Sequence, residues 1–138
     1  MSYKLLEHTT DAFIEVTAPN LKEAFLIAAQ SVVDTTIERS TVDEKDEKVI
    51  IVSGKDQKYL LFNWLEAVIY QLITEGFAIK KFEIDLQKKD QYEINAKFFG
   101  EPINLKKHHF KVEIKAPTFH LMEISEGKEV KMRSLLDL

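Results

Sequence analysis

Hydrophobic residues recur at helical spacing in two stretches of the chain. The first covers residues 20–37 and opens with Asn20, a favoured N-cap residue, followed three positions later by Glu23, as in a capping box. The second covers residues 56–75 and stops at Gly76, a residue typical of the position after a helix. Its apolar residues come in adjacent pairs, which indicates a deeply buried helix in which Trp64 is part of the core.

Elsewhere apolar and polar residues tend to alternate, which is the pattern of strands with one buried face. Strands are predicted at residues 3–6, 13–18, 49–52, 82–86, 92–98, 110–114, 119–124 and 130–136. Residues 38–48 are nearly all polar and are expected to form a solvated loop, and residues 100–102 (Gly-Glu-Pro) are expected to break a strand. The pattern predicts a single α+β domain over residues 1–138, with two helices packed against a largely antiparallel β-sheet.

Composition narrows the classes of protein that fit this pattern. The chain has 138 residues, 45% of them hydrophobic, and a formal net charge of −4. It contains no cysteine, which excludes disulfide scaffolds, thiolate zinc sites and thiol nucleophiles. No apolar run approaches the roughly 20 residues of a membrane span, so a cytoplasmic location without membrane contact is expected. The mild acidity disfavours autonomous nucleic-acid binding.

Two aspartates occupy positions that allow either a structural or a metal-binding role. Asp11 follows three polar residues at a strand junction, where it could form a turn with local backbone amides or serve as a ligand. Asp137 follows two leucines near the C-terminus, where it could be a solvated tail residue or a ligand. If the last strand ends beside Asp11, the two carboxylates and Leu138 bring together oxygen donors that suit Ca²⁺ or Mg²⁺.

Other polar residues are expected at the surface. Residues 106–111 include three lysines and two adjacent histidines and should form an exposed basic patch. Pro117 restricts its strand to an edge, a bulge or a turn, which would direct Lys115 and His120 outward. Phosphate loops, dinucleotide fingerprints, hydrolase elbows and helical zinc motifs are absent from the sequence.

Four motifs, in this order along the chain, resemble those of the archease family. Residues 8–11 (His-Thr-Thr-Asp) resemble its His-Thr-Ala-Asp, and residues 100–103 (Gly-Glu-Pro-Ile) resemble its Gly-Glu-Pro block. Residues 113–120 (Glu-Ile-Lys-Ala-Pro-Thr-Phe-His) resemble its Glu-Ile-Lys-Ala-Val-Thr-Tyr-His, and residues 136–138 (Leu-Asp-Leu) resemble its terminal Asp-Ile. Together the motifs span essentially the whole chain. The departures from the family pattern leave every proposed ligand in place.

The resemblance implies an accessory protein that activates the GTP-dependent tRNA-splicing RNA ligase, promotes its guanylylation and allows multiple turnover. It implies a divalent metal, calcium first, with magnesium or manganese as alternatives. The metal ligands carried over are Asp11, Asp137 and the main-chain oxygen of Leu138. His8, Lys115 and His120 are candidates for supporting the ligands or for contacting the partner. RNA would be contacted only indirectly.

Two other functions fit the same residues. The acidic cluster could be the Mg²⁺ site of a metal-dependent phosphate-ester hydrolase, although two aspartates without an evident base make a thin catalytic set. The lysines of residues 106–111 could serve a small RNA-binding or chaperone-like module. Turnover assays with and without the ligase separate an activator from a hydrolase, and the salt dependence of RNA binding tests the third function.

Overall fold

The computed structural model describes residues 1–6 and 10–138, which form two helices and seven strands. The strands are β1 (Ser2–Leu6), β2 (Asp11–Ala18), β3 (Asp46–Gly54), β4 (Phe77–Lys88), β5 (Tyr92–Pro102), β6 (Ala116–Glu126) and β7 (Val130–Asp137). The helices are α1 (Leu21–Thr36) and α2 (Gln57–Ile69), and α2 continues into a π-helical turn, Tyr70–Thr74. A short 3-10 turn, Arg39–Thr41, follows α1.

The strands form two antiparallel sheets. One has the order β1-β2-β7-β6 and the other the order β3-β5-β4. The predicted α+β class with two helices and antiparallel strands is confirmed, and the strands are divided between two sheets where a single one was expected. Helix α2 packs against β3 of one sheet and β6 of the other, and so joins the two sheets.

Side-chain caps begin both helices where the sequence predicted. The side-chain oxygen of Asn20 accepts a hydrogen bond from the backbone N–H three residues later, at 2.9 Å. The carboxylate of Asp56 does the same at the start of the second helix, also at 2.9 Å. The second helix keeps its α-helical hydrogen bonds only to Ile69, and the predicted remainder forms the π-helical turn. Gly76 then adopts φ +61°, the left-handed conformation that ends helices and that favours glycine.

Trp64 joins the two helices to the three-stranded sheet. Its side chain is fully buried, and its indole N–H donates to the Phe25 carbonyl oxygen of α1 at 2.9 Å. Its ring meets Phe98 and Phe82 edge-on, with ring centroids 5.6 and 6.1 Å apart. The predicted core role of the tryptophan is therefore confirmed, and its one polar atom is satisfied inside the core.

Three local predictions need correction. β5 continues through Pro102, so residues 100–102 do not break the strand. Residues 110–114 form no strand, because the backbone of loop 103–115 bonds instead to the end of α1, with Lys111 N–H donating to Thr36 O at 2.8 Å. β3 begins at Asp46, inside the segment predicted to be loop, because an edge strand can present charged side chains to water.

Gly100 allows β4 and β5 to approach closely. A Cβ atom at this position would lie 1.8 Å from the main-chain oxygen of Ala78 on β4. The contact falls beside an irregularity in which Ile79 pairs with Gly100 and Lys81 with Phe99, so that Lys80 is left without a partner on β5. The bulge at Lys80 therefore depends on the missing side chain of Gly100.

We predict that Gly100→Ala lowers the free energy of unfolding by on the order of 2–3 kcal/mol, because backbone of β4 has to move to admit the methyl group. Gly127→Ala is the matched control, since a Cβ there meets its closest neighbour at 3.9 Å. The control should change stability by less than about 0.5 kcal/mol. Urea denaturation of both variants measures the difference, and equal midpoints would show that the close approach is not required.

Candidate metal site and adjoining cavity

The ends of β2 and β7 place two aspartates opposite each other. Asp11 is the direct antiparallel partner of Asp137. Directly opposed residues project from the same face of a sheet, with Cβ atoms about 4.5–5.5 Å apart. The two carboxylates therefore leave the backbone side by side. Asp137 is the last residue of an ordered strand, so the alternative interpretation of a loose tail residue does not describe its backbone.

Neighbouring backbone holds Asp137 in place. Its carbonyl oxygen accepts the N–H of Lys115 at 2.7 Å, and the residue also pairs with Ala116 of β6. Leu136 before it is fully buried, and Leu138 after it is half-buried against the core. Leu138 therefore follows an ordered strand end and lies beside Asp137 in sequence, with its side chain packed against the core.

The donor set fits a hard divalent cation. Two like charges on directly opposed positions of a sheet destabilise each other, and a bound cation would remove that repulsion. Carboxylate and main-chain oxygens are the ligands of Ca²⁺, Mg²⁺ and Mn²⁺. Within residues 1–6 and 10–138, no three His, Cys, Asp or Glu side chains come together as a metal cluster. A third ligand from the described part of the chain would thus be a neutral side-chain oxygen or a main-chain oxygen, the latter as predicted for Leu138.

The other residues predicted near the site are placed differently. His8 lies outside the described residues. Lys115 is exposed and lies next to Asp137 through its backbone. His120 is also exposed, which confirms the outward direction expected from the edge position of β6. It falls in the bulged part of β6 opposite Ser134, about 10 Å along β7 from the aspartate at three residues' rise. His120 therefore lies outside the regularly paired part of β6.

Asp11 and Leu138 also line a cavity of about 1130 Å³. The cavity lies between β1 and β2, the end of α1, the 3-10 turn, β4 and loop 103–115. One part of its wall is apolar and the other is polar. The apolar part consists of Leu5, Leu6, Ala12, Phe13 and Ile37, and the polar part includes Tyr3, Asp34, Arg39, Lys80 and Lys111.

Tyr3 and Arg39 engage the carboxylate of Asp34 within this wall. The phenol donates to Oδ2 at 2.8 Å, and Arg39 Nε donates to Oδ1 at 3.0 Å. Burial, and then the hydrogen bond to Asp34, raise the pKa of Tyr3 to about 12. The phenol consequently stays neutral at physiological pH and cannot serve there as a base.

A buried polar network, which the sequence pattern did not reveal, supports the loop beside the cavity. His108 was expected at the surface but is fully buried. Its Nδ1 accepts the Asn104 N–H at 3.0 Å, which assigns the ring proton to Nε2, and Nε2 donates to Glu101 Oε2 at 3.0 Å. The same oxygen accepts Lys107 Nζ at 2.8 Å and the Asp43 N–H at 2.9 Å.

Glu101 organises this part of the chain as an anion with several donors. The hydrogen bond from Lys107 first, then those from Asp43 and His108, hold the pKa of Glu101 far below its ordinary value of 4.5. The network fixes loop 103–115, which carries Lys111 to the cavity and Lys115 to the backbone of Asp137. The resemblance marked residues 100–102 (Gly-Glu-Pro) as a motif. The alternation of apolar and polar residues in β5 did not identify Glu101 as a buried hydrogen-bond acceptor.

The class defined by this geometry is an α+β domain with two antiparallel sheets and two directly opposed aspartates, one of which, Asp11, lines a cavity. The model of the Archease protein family matches residues 3–138, and the chain belongs to that family. It is 36% identical over 128 residues to the archease of Pyrobaculum islandicum, covering 91% of this chain and 87% of that protein. It is 34% identical over 121 residues to the archease of Pyrococcus abyssi, covering 87% and 85%.

Solved structures agree with the fold. The solution structure of Methanobacterium thermoautotrophicum protein 1598 superposes with a TM-score of 0.85 at 29% identity, covering 99% of both chains. A Thermotoga maritima structure, named as an archease and possible chaperone, superposes with a TM-score of 0.66 at 20% identity, covering 98% of this chain and 96% of that one. The predicted family and fold class are confirmed. In the described part of the chain, the helices are too short or too polar to span a membrane.

We predict that Glu101 makes the protein more sensitive to acid. Because the pKa of Glu101 is lowered by folding, its contribution to stability is complete above pH 4.5 and declines as the pH falls below that value. Glu101→Gln should therefore be less stable than wild type at pH 7, and the difference should shrink towards pH 3. Thermal denaturation between pH 3 and pH 7 measures it. Glu83→Gln, at a side chain that is 54% exposed, is the control. A stability difference between Glu101→Gln and wild type that does not change with pH would contradict the prediction.

Proposed function

We propose that this archease is a cytoplasmic, metal-binding accessory protein that activates the tRNA-splicing RNA ligase, promoting its guanylylation and multiple turnover, and is not itself an enzyme. The observation that supports the proposal most is the β2–β7 register, which pairs Asp11 directly with Asp137. Membership of the archease family supplies the biological context.

The metal would be held by Asp11, Asp137 and the main-chain oxygen of Leu138. Calcium is the proposed ion, with magnesium or manganese as alternatives, because the donors are oxygens on a site at the protein surface. A bound cation would supply positive charge at the rim of the cavity, where phosphate oxygens of a ligand or of the partner's substrate could be stabilised.

The surface around the carboxylates suits contact with a protein partner. Asp137 and Lys115 are both exposed and share a backbone hydrogen bond, so opposite charges lie near each other on accessible chain. His8 and His120 remain proposed contacts, the latter farther along the exposed edge strand β6. RNA would be reached through the ligase.

The polar side chains in the cavity wall favour activation of a partner over hydrolysis of a phosphate ester by this chain. In the described part of the cavity, the carboxylate of Asp34 is engaged by Tyr3 and Arg39, and the phenol is neutral. These groups do not supply a base for attack on a phosphate ester at neutral pH.

We predict that Asp11→Asn and Asp137→Asn each weaken Ca²⁺ binding at least about tenfold, since each removes a charged ligand. In EDTA, Asp137→Asn should be as stable as wild type, or more stable by up to about 1 kcal/mol, because the opposed like charges are relieved. Calorimetric titration and urea denaturation provide the two measurements. Asp90→Asn, in the exposed β4–β5 turn, is the control. Unchanged calcium affinity in both variants would show that the metal, if bound, lies elsewhere.

We predict that Asp11→Ala stays folded by circular dichroism but loses most of its ability to make the RNA ligase turn over repeatedly. The carboxylate lies at the end of a strand and contributes little to the core, so a functional loss without unfolding is expected. Multiple-turnover ligation with the ligase partner measures activation, with Asp90→Ala as the control. Full activation of the ligase by Asp11→Ala would contradict the proposed role of this carboxylate. Phosphate-ester hydrolysis by the chain without the ligase, abolished in Asp11→Ala, would favour the hydrolase alternative.

A further inference from the structure

Two lysines, Lys80 and Lys111, line one side of the cavity. Lys80 Nζ lies 3.4 Å from the main-chain oxygens of Arg39 and Ser40, and Lys111 Nζ donates to the main-chain oxygen of Asp34 at 2.9 Å. Carbonyl oxygens orient an ammonium group but carry no net charge. Among the residues that the structure describes, neither lysine forms an ion pair with a carboxylate.

Two of the carboxylates that line the cavity contact side chains other than these lysines. Asp34 is paired with Arg39 at 3.0 Å, and Glu38 Oε2 lies 2.6 Å from His109 Nδ1. Both acidic residues line the cavity, but their strongest contacts are with these other groups. Acidic and basic side chains thus both line the cavity, and the ammonium groups of Lys80 and Lys111 are the ones that no carboxylate of the described residues neutralises.

Both lysines are aimed by specific backbone features. Lys80 is the unpaired residue of the β4 bulge, which interrupts the alternation that would otherwise place residue 80 on the same face as the buried Phe82. Lys111 is fixed because its N–H donates to Thr36 O at 2.8 Å and its loop is held by the Glu101 network. Ammonium groups held in this way lose less conformational freedom when they bind an anion.

We propose that the cavity binds a nucleoside triphosphate, with the ammonium groups of Lys80 and Lys111 on phosphate oxygens and the base against the apolar wall near Leu5 and Phe13. The volume of about 1130 Å³ accommodates a ligand of that size. A divalent ion bound by Asp11 would bridge carboxylate and phosphate. That bridge rests on the metal site proposed above, whereas the two lysine contacts do not.

The charge pattern favours a small polyphosphate over a nucleic-acid strand. Backbone binding of RNA requires a track of many cations, and this chain has a formal net charge of −4. Two fixed ammonium groups within one cavity match a compact cluster of phosphate charges. An apolar wall beside them adds a reason for a nucleoside to bind more tightly than inorganic phosphate alone.

Calorimetric titration of the full chain with GTP, ATP and inorganic triphosphate, each in EDTA and with Mg²⁺, tests the proposal. Lys80→Gln and Lys111→Gln should each weaken nucleotide binding about tenfold, because each removes a charge-assisted hydrogen bond. Lys80→Arg and Lys111→Arg should retain most of the affinity. The controls are Lys81→Gln, whose residue pairs with Glu83 at 3.4 Å, and Lys106→Gln, on the same loop as Lys111. Both controls should change affinity less than twofold.

The outcomes separate this inference from the metal proposal. If the protein binds nucleotide in EDTA through the two lysines but does not bind calcium, the nucleotide site is supported and the metal site is contradicted. If Mg²⁺ raises the nucleotide affinity of wild type but not that of Asp11→Asn, the proposed ion between Asp11 and the phosphates is supported. The proposal is overturned if wild type binds neither nucleotide, if folded glutamine variants bind as tightly as wild type, or if inorganic triphosphate binds as tightly as both nucleotides. Lysine-dependent binding of a single-stranded RNA lacking a triphosphate, stronger than that of GTP, would also overturn it.

Discussion

The pairing of β2 with β7 is the constraint on which the rest of this molecule depends. It occupies the middle of the four-stranded sheet, with β1 on one side and β6 on the other. Ion pairs reinforce this pairing on one face. The nearly buried carboxylate of Glu15 accepts a hydrogen bond from Arg133 Nε of β7 at 2.7 Å, and it lies 3.3 Å from Lys4 Nζ of β1. Arg133 first, and then Lys4, lower the pKa of Glu15 and keep this bridge across three strands ionised. The same ladder sets the positions of both candidate metal ligands.

The second helix converts two separate sheets into one core. Each sheet leaves an edge strand beside α2, and the helix packs against both. Its tryptophan donates a hydrogen bond to α1 and places its ring against the aromatic residues of the three-stranded sheet. The buried residues of α2 recur in adjacent pairs and form one broad apolar stripe, whereas Tyr59, Glu66 and Tyr70 lie on its exposed side.

Features that depend on local chemistry could be predicted from the sequence, and features that depend on distant partners could not. The cap at Asn20, the left-handed Gly76 and the core position of Trp64 all follow from short-range rules and are confirmed. The division into two sheets, the burial of His108 and the bulge at Lys80 arise from groups far apart in sequence, which a periodicity does not report. The positions of Asp11 and Asp137 were anticipated by the resemblance, and their ligand role stays a prediction.

The β2–β7 ladder also has a consequence for the order of folding. The Glu15–Arg133 contact joins residues 118 positions apart, so forming this ladder closes most of the chain into a loop. Contacts of such long range are entropically costly until the intervening elements have condensed, so they form late. A partly folded chain therefore has both aspartates but no site, and an ion that binds the pair can act only on the completed fold. Metal binding at this position would stabilise only folded molecules, by an amount that rises with the logarithm of the metal concentration divided by its Kd.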